Sequence, residues 1–362
     1  MRAFDPHHFL LLILLCGACA AEEELPSPPP IGSAPEGCDL SENGWTIPTV
    51  TVADGGVGQD GIPSIENPQF ILASEVDFLT DRELVIALKV NDDIRIYPQR
   101  ILDQHEIVND RVGGVAISLT FCPLTGTAIA FERTVDGAET TLGVSGLLFN
   151  NNLILYDRST NTRWVQMTFE GVNGPFYFDQ LDFLPSVEMS WSAMKALYPN
   201  ARVLSKATGF DKRYANEALS SRTPLDSDPA FPYEPRDDRL PNFQRVLMVR
   251  DSSEATVFPL DEFERSLDII SDGQLLLIVH PEVGFMVAYE WQPGLNFAAV
   301  ENTPGVIMED QNGNAYDVFG EVVEGPDRGF KLEPTLSYMG YWFAIAAMAP
   351  DPFIFRSGME GD

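Results

Sequence analysis

Residues 115–133 read VAISLTFCPLTGTAIAFER, with two apolar runs on either side of a short turn. Each run has the length of a strand and contains the β-branched and aromatic residues that are common in strands. Pro123, Thr125 and Gly126 lie between the runs, and residues of these types favour tight turns. The stretch therefore predicts two β-strands separated by a turn, and it places Cys122 at the end of the first strand.

Similar short runs, separated by turn residues, continue through most of the chain. The alternation of apolar and polar residues in 85–91 and 94–98, and the apolar run 153–156, are typical of further strands. Helical patterns are few, and the best one covers residues 191–198 and ends at Pro199, where a helix cannot continue. The sequence therefore predicts a mainly β protein of the α+β class.

An internal repeat organises these strands. Four segments of the first half recur in the same order in the second half, which chance rarely produces. The matching pairs are 95–102 with 256–263, 115–133 with 275–291, 153–171 with 306–325, and 191–199 with 341–350. We therefore predict two divergent copies of one β-rich module, each closed by a short helix, with the reactive side chains kept in the first copy.

Composition marks the boundaries of these modules. The segments between them are rich in Pro, Glu, Asp and Ser and lack periodicity, which is typical of tethers and linkers. The predicted divisions are a signal peptide (1–21), a flexible Pro/Glu-rich tether (22–45), a first β-rich module with the candidate site (46–204), an irregular linker (205–241), a second, degenerate β-rich module (242–356) and a tail (357–362).

The N-terminus predicts export. Arg2, an apolar run at residues 9–15 and a small-residue exit at 16–21 form the pattern of a secretory signal peptide. Cleavage after Ala20 gives a periplasmic or secreted protein, whereas cleavage before Cys19 leaves that cysteine to carry a lipid anchor in the outer envelope. Both alternatives stay open. No other segment is apolar enough to predict a transmembrane span.

The net charge excludes one class of partner. The chain has 54 acidic and 23 basic residues, for a formal net charge of -31. Such a surface repels the phosphates of nucleic acids and anionic lipid head groups. We therefore expect a small molecule or another envelope component as the partner, and no nucleic acid.

The number of histidines limits the chemistry that is available. Of the four in the chain, His7 and His8 lie in the predicted signal peptide, which leaves His105 and His280. A zinc or copper site built from several histidines is therefore excluded within one chain. His280 aligns with Cys122 in the repeat, and we interpret it as structural or vestigial.

His105 lies beside Glu106 and about one strand length before Cys122. If the strand that begins near Val115 runs back past His105, the imidazole can take the thiol proton with a carboxylate behind it. We therefore predict Cys122 as a nucleophile, His105 as its base and Glu106 as the supporting carboxylate. The small and polar residues predicted to bind a ligand around them, with Gly126 presenting backbone amides to an oxyanion, are Asn109, Thr125, Gly126, Thr127, Ser145 and Asn150.

Several alternatives stay open for the same residues. A buried Cys122 and a hydrogen-bonded His105 can also serve only to hold a core together. A single metal ion bound by Cys122, His105 and a carboxylate is a further alternative, without a confident ligand set. A dithiol mechanism is excluded, because Thr125 stands where a Cys-x-x-Cys motif needs its second cysteine. Pairing of Cys122 with Cys38 is less favoured than a free thiol.

Two motifs that look functional are better explained as structure. The Gly143-Val-Ser145-Gly146 stretch resembles a nucleophile elbow but lacks the strand-to-helix context, and we interpret it as a bend in a strand. The loop Asp310-Gln-Asn-Gly-Asn resembles a calcium loop, but Ala315 occupies the place where that loop needs glycine, which favours a turn.

Short motifs are spread along most of the chain: DGIPSIENP (60–68), YP with HEIVND (97–98 and 105–110), CPLTGTA (122–128), GVSGLLFN (143–150), YDR (156–158), Trp164 with Gln166, and DDRLP (237–241). In these motifs the chain resembles a bacterial family, the domain of unknown function 3179, over about residues 55–355. The resemblance implies an exported and often lipid-anchored protein, and it implies no particular activity.

We therefore predict an exported envelope protein with a small-ligand, metal or thiol-chemistry pocket around His105 and Cys122. The alternative is a non-catalytic structural or interaction protein of the cell envelope, in which these residues hold the fold.

Overall fold

The computed structural model describes residues 44–214, 223–250, 254–271 and 274–357. The predicted signal peptide, Cys19, Cys38 and most of the tether and tail lie outside the described residues. The described part is mainly β with a few short helices, which confirms the predicted fold class. Among these residues, no helix has the length and apolar character needed to span a bilayer.

Most elements follow one another along the chain with short connections, and the longest connection joins β16 to β17. The strands are β1 (Val52–Asp54), β2 (Phe70–Leu72), β3 (Leu84–Val90), β4 (Asp93–Pro98), β5 (Ile107–Val112), β6 (Val115–Cys122), β7 (Thr127–Glu132), β8 (Thr134–Val135), β9 (Ala138–Glu139), β10 (Leu142–Phe149), β11 (Asn152–Asp157), β12 (Arg163–Val165), β13 (Gly171–Asn173), β14 (Phe183–Leu184), β15 (Ser186–Ser190), β16 (Arg202–Leu204), β17 (Arg245–Arg250), β18 (Ala255–Pro259), β19 (Asp268–Ser271), β20 (Leu275–His280), β21 (Phe285–Glu290), β22 (Phe297–Thr303), β23 (Val306–Asp310), β24 (Ala315–Tyr316), β25 (Val322–Glu324), β26 (Leu336–Tyr341) and β27 (Phe353–Ile354). The α-helices are α1 (Gln99–Leu102), α2 (Trp191–Leu197) and α3 (Trp342–Met348).

The strands of each half form three main sheets. Those of the first half are sheet 1 (β1-β10-β11-β12-β13), sheet 2 (β14-β7-β6-β5) and sheet 3 (β15-β3-β4-β16-β2), with β8 and β9 as a separate two-stranded ribbon. Those of the second half are sheet 4 (β26-β17-β18-β27), sheet 5 (β19-β20-β21) and sheet 6 (β22-β23-β24-β25).

The stretch 115–133 forms the two strands that its sequence predicts. Strands β6 and β7 pair in antiparallel fashion, with Cys122 opposite Thr127. The N–H of Gly126 donates to the Cys122 carbonyl over 2.9 Å, and Gly126 has a φ of +62°, which glycine adopts without strain. Nearly every residue of β6 is buried. Both faces of sheet 2 are therefore covered, which explains the continuous apolar run.

The strand order of the two halves is alike. Sheets 3 and 4 share the order in which an antiparallel edge strand (β15 or β26) lies beside two central strands, followed by a parallel strand (β16 or β27). A short helix follows that edge strand in each half, α2 after β15 and α3 after β26. The duplication predicted from the sequence stays a proposal, which this shared order supports.

The two halves do not have separate cores. One large apolar cluster contains Phe131 and Trp164 of the first half together with Trp342 and Phe343 of the second. A second cluster combines residues of sheet 3, such as Val85, and Trp191 of α2 with residues of sheets 5 and 6. Helix α3 is buried along its whole length, which explains why its sequence is apolar on all sides.

A buried ion pair also joins the halves. The ammonium of Lys89 on β3 lies 2.7 Å from the Asp317 carboxylate and 2.8 Å from that of Glu321. The Lys89 side chain is 8% exposed and that of Asp317 is 1% exposed. Removal of the lysine would therefore leave a buried carboxylate without its cation.

We predict that Lys89→Met lowers the free energy of unfolding by about 3 kcal/mol, as measured by urea denaturation, because the Asp317 charge loses its partner. Arg202→Met is the control, since the half-exposed Arg202 pairs with Asp93 at the surface and its loss should cost less than about 1 kcal/mol. Equal losses in the two variants would contradict the prediction.

Candidate functional site

The His105 ring is buried and both of its nitrogens have oxygen partners. Nδ1 lies 2.8 Å from the Pro63 carbonyl, and Nε2 lies 2.9 Å from the Tyr214 hydroxyl. A carbonyl only accepts, so Nδ1 carries the proton and Nε2 of the neutral ring accepts from Tyr214. Burial lowers the pKa of His105, which favours this neutral form. Phe210 packs against the ring.

The backbone of Glu106 is in the left-handed region, with a φ of +57°. Its N–H donates to Leu102, and its carbonyl accepts from Phe121 on β6, both over 2.7 Å. Burial, with a smaller effect of Asp103, raises the pKa of the Glu106 carboxyl to about 7. Within the described part of the chain, this carboxyl has no hydrogen-bond or ion-pair partner.

Cys122 carries a free, buried thiol. Its Sγ donates to the Asn151 carbonyl over 3.5 Å. Burial, and then the nearby Glu106 carboxylate, raise the pKa of the thiol to about 11. The thiol is therefore protonated near neutral pH, whereas a nucleophile needs the thiolate.

The structure does not join the predicted base and nucleophile by a hydrogen bond. The His105 nitrogens bond to Pro63 and Tyr214, and the Cys122 thiol bonds to Asn151. Glu106 is the member of the predicted trio whose charge acts on the thiol. The catalytic assignment of these three residues stays a prediction.

The two threonines of the turn belong to a buried polar network. The hydroxyls of Thr125 and Thr127 lie 2.8 Å apart, and Thr127 also donates to Gln166 Oε1 over 2.7 Å. The Asn152 amide donates to the same Gln166 oxygen over 2.8 Å, while the Gln166 amide donates to Thr120 over 2.9 Å. All five side chains are fully buried. The network joins sheets 1 and 2, and its polar groups satisfy one another.

Gly126 is covered by the second half of the chain. Its carbonyl accepts a hydrogen bond from Arg245, and its N–H is already bonded to Cys122. The carbonyl of the preceding Thr125 accepts from the Tyr341 N–H over 2.9 Å. The Gly126 amide that was predicted to face an oxyanion is therefore engaged within the turn.

Asn109 and Ser145 also make internal hydrogen bonds. The Asn109 amide donates to the Leu142 carbonyl over 2.9 Å, and its oxygen accepts from Leu142 and Ser118. The Ser145 hydroxyl donates to Ile154 over 2.6 Å. The register between β10 and β11 shifts next to Ser145, so a bend in this strand is confirmed.

Asn150 and its neighbour Asn151 form the two-residue loop between β10 and β11, and both have positive φ. Each amide group bonds to a backbone N–H and a backbone C=O of the linker, Asn150 at Glu234 and Asn151 at Phe231. Asn150 was predicted from the sequence as a site residue, and Asn151 was not. The Asn-Asn pair between two strands is the signal that predicts such a turn.

A half-exposed polar cluster was also missed. The Tyr156 hydroxyl donates to the Asp60 carboxylate over 2.5 Å, and Arg158 donates to the other Asp60 oxygen over 2.7 Å. Burial, and then the bond to Asp60, raise the pKa of Tyr156. Tyr156 and Arg158 stand out in the sequence only as part of the YDR motif. Their partner lies about a hundred residues earlier in the chain, where strand periodicity gives no signal.

The structure offers little support for a metal centre. No group of three or more His, Cys, Asp or Glu side chains suited to a metal occurs among the described residues. The calcium-like loop is a turn, as predicted: the Asp310 carboxylate accepts from the N–H groups of Asn312 and Asn314 and from the Tyr316 hydroxyl. Two small cavities, of about 30 and 20 Å³, lie between the halves and are lined by none of the predicted site residues. Spaces of this size hold about one water molecule.

Comparison with known proteins gives one match. The family model for "Protein of unknown function (DUF3179)" matches residues 59–352, which is most of the chain. The chain belongs to the DUF3179 family. The match includes the His105 loop, the Cys122 turn and both halves of this DUF3179 protein. No curated protein and no solved structure matches the chain.

We predict that Gly126→Ala destabilises the protein strongly, because the new Cβ would lie 2.6 Å from the Arg245 guanidinium and 2.9 Å from the Tyr341 ring. Gly137→Ala is a matched control, since Gly137 has a φ of +70° and open space around it. By urea denaturation, we expect a loss of about 1 kcal/mol for Gly137→Ala from strain alone, and about 2 kcal/mol more for Gly126→Ala. Equal losses would mean that the second half does not fix this turn.

Proposed function

We propose that this DUF3179 protein is an exported binding protein of the cell envelope, and that its first half binds a small organic cation through the Glu106 carboxylate. The observation that carries the proposal is the Glu106 carboxyl itself, which lies beside two buried reactive side chains and has no partner among the described residues.

Glu106 carries two local costs in stability. A left-handed backbone costs a residue with a Cβ about 1 to 2 kcal/mol. Ionisation of its carboxyl is also unfavourable in the folded protein, as the raised pKa indicates. No ion pair among the described residues offsets either cost. A side chain that only held the fold would stabilise it, so these costs favour a role in binding.

The surroundings of Glu106 favour a positively charged ligand. At pH above about 7 the carboxyl is an anion, while His105 is held neutral. The nearby Asp103 adds negative potential, and the net charge of -31 attracts cations from a distance. A single carboxylate can pair with an ammonium group, whereas a metal ion usually takes several protein ligands, so an ammonium group is the cation that we propose.

Thiol catalysis by Cys122 is less well supported than cation binding by Glu106. The pKa of Cys122, at about 11, keeps the thiol protonated, and the His105 nitrogens are bonded to other groups. In this proposal Cys122 is a packing residue beside the ligand, not a nucleophile.

The alternative, a non-catalytic protein in which the motif residues hold the fold, is favoured by a different observation. Thr125, Thr127, Asn109, Ser145 and Asn150 all have internal hydrogen bonds. The fold-holding alternative and the ligand-binding proposal predict different effects of replacing Glu106. If Glu106 holds the fold, its replacement must destabilise the protein.

We predict that Glu106→Gln makes the protein more stable above pH 7. The pKa of the folded carboxyl is about 7, against an ordinary value of 4.5. The folded state therefore keeps a proton that the unfolded chain has lost, and wild-type stability falls as pH rises from 4.5 to 7. In urea denaturation, the free energy of unfolding of the wild type should be lower at pH 8 than at pH 5 by on the order of 2 kcal/mol, and the variant should not show this difference.

Glu309→Gln, at an exposed position on β23, is the control for the change in net charge and should follow the wild-type pH dependence. A Glu106→Gln protein that is less stable than the wild type at pH 8 would support the fold-holding alternative.

We predict that methylammonium binds to the wild type and not to Glu106→Gln. Ligand binding raises the free energy of unfolding, so methylammonium chloride should raise the urea midpoint at pH 8 more than sodium chloride of equal concentration does. The effect should vanish at pH 5, where Glu106 is protonated. Glu170→Gln, at another half-buried carboxyl with a raised pKa, should keep the full effect. A response that Glu106→Gln retains would refute this site.

A further inference from the structure

The connection between the halves is an irregular segment whose described part, residues 223–241, contains no helix or strand. Most of its side chains are exposed or half-buried, and Tyr233 and Leu240 are the fully buried ones in this range. We call residues 223–241 the strap. A segment of this kind depends on side-chain contacts to stay in place, because it belongs to no sheet.

The strap is attached to the two halves in different ways. Its bonds to the second half are spread along its length, from the Ser227 carbonyl, which accepts from Asn242, to the Asp237 carbonyl, which accepts from Trp342. Its hydrogen bonds to the described residues of the first half, in contrast, all involve the loop of Asn150 and Asn151. The attachment to the first half is therefore concentrated at one point.

The Asn150–Asn151 loop binds the strap through side-chain amides that pair with backbone groups of the strap. Asn151 donates to the Phe231 carbonyl and accepts from the Phe231 N–H, each over 2.8 Å. Asn150 does the same at Glu234, over 2.9 and 3.1 Å. These bonds are made to the backbone of the strap and not to its side chains. Tyr233 is the only fully buried side chain among residues 231–234, so opening removes a single side chain from the apolar cluster.

The same loop covers Cys122. The Asn151 carbonyl accepts the bond from the Cys122 thiol, while the Asn151 side chain binds the strap. Tyr233 of the strap also belongs to the apolar cluster that contains Cys122. The strap, the Asn150–Asn151 loop and the thiol are therefore three successive layers.

We propose that the strap opens from the Asn150–Asn151 loop as a local unit and thereby controls the access of small reagents to the Cys122 thiol. The opening separates residues 231–234 from the end of sheet 1 while the sheets stay folded. This inference does not depend on ligand binding at Glu106.

The test is the rate at which N-ethylmaleimide alkylates Cys122 in the full chain at pH 8, measured by mass spectrometry of the peptide that contains Cys122. That peptide is separate from those of the other cysteines. Low concentrations of urea distinguish the routes to the thiol. Local opening exposes little surface and gives a rate that depends weakly on urea, whereas global unfolding gives the full urea dependence of the unfolding equilibrium.

Asn150→Gly/Asn151→Gly is the informative variant, because glycine keeps the positive φ of the loop and removes the amide groups that hold the strap. Four hydrogen bonds are lost, so the alkylation rate without urea should rise about 100-fold. Asn161→Gly is the matched control, since Asn161 is an exposed residue at φ +58° in another turn. It should leave the rate unchanged.

Two results would overturn the inference. One is a wild-type alkylation rate that follows global unfolding at every urea concentration. The other is a double variant that is alkylated no faster than Asn161→Gly. The urea dependence of the wild type decides the question by itself if the double variant does not fold.

Discussion

The architecture depends on the covering of one turn, residues 123–126, by the other half of the chain. Tyr341 donates to the Thr125 carbonyl and Arg245 to the Gly126 carbonyl, and both donors come from the ends of strands in sheet 4. Because the turn is closed in this way, Cys122 is buried and its pKa is raised. The polar residues around it must also find their partners inside the protein.

That requirement divides the predicted site into two kinds of residue. Thr125 of the turn bonds to Asn152, and Thr127 at the start of β7 bonds to Gln166, so the two threonines connect sheets 1 and 2. Such a network is stabilising only when all of its members are satisfied, and these members are. Glu106 differs, because its backbone is strained and its carboxyl has no partner among the described residues. One buried region thus combines groups that support the fold with one that costs stability.

The features that depend on neighbours along the chain could be predicted from the sequence. The strands of 115–133, the turn at Asp310 and the bend at Ser145 all follow from local pattern and turn chemistry. Local pattern does not predict that Thr127 bonds to Gln166 and Asn152, because these contacts join different sheets. Nor does it predict that Arg158 bonds to Asp60, because these residues lie about a hundred positions apart in the chain. The hydrogen-bond partners of His105 are Pro63 and Tyr214, and no periodic pattern in the sequence links these residues to His105.

The proposed duplication explains why the polar site belongs to one half. Gly126 and Gly284 end corresponding turns, and each packs on the first residue of a central strand of the opposite half: Gly126 on Arg245, and Gly284 on Leu84. Leucine offers no donor, so Leu84 cannot hold the turn at Gly284 by a side-chain hydrogen bond. Arginine gives the first turn such a bond, together with a link to Glu188. The same packing position therefore provides a polar contact to the first turn and an apolar contact to the second, because the residue on the opposite strand differs.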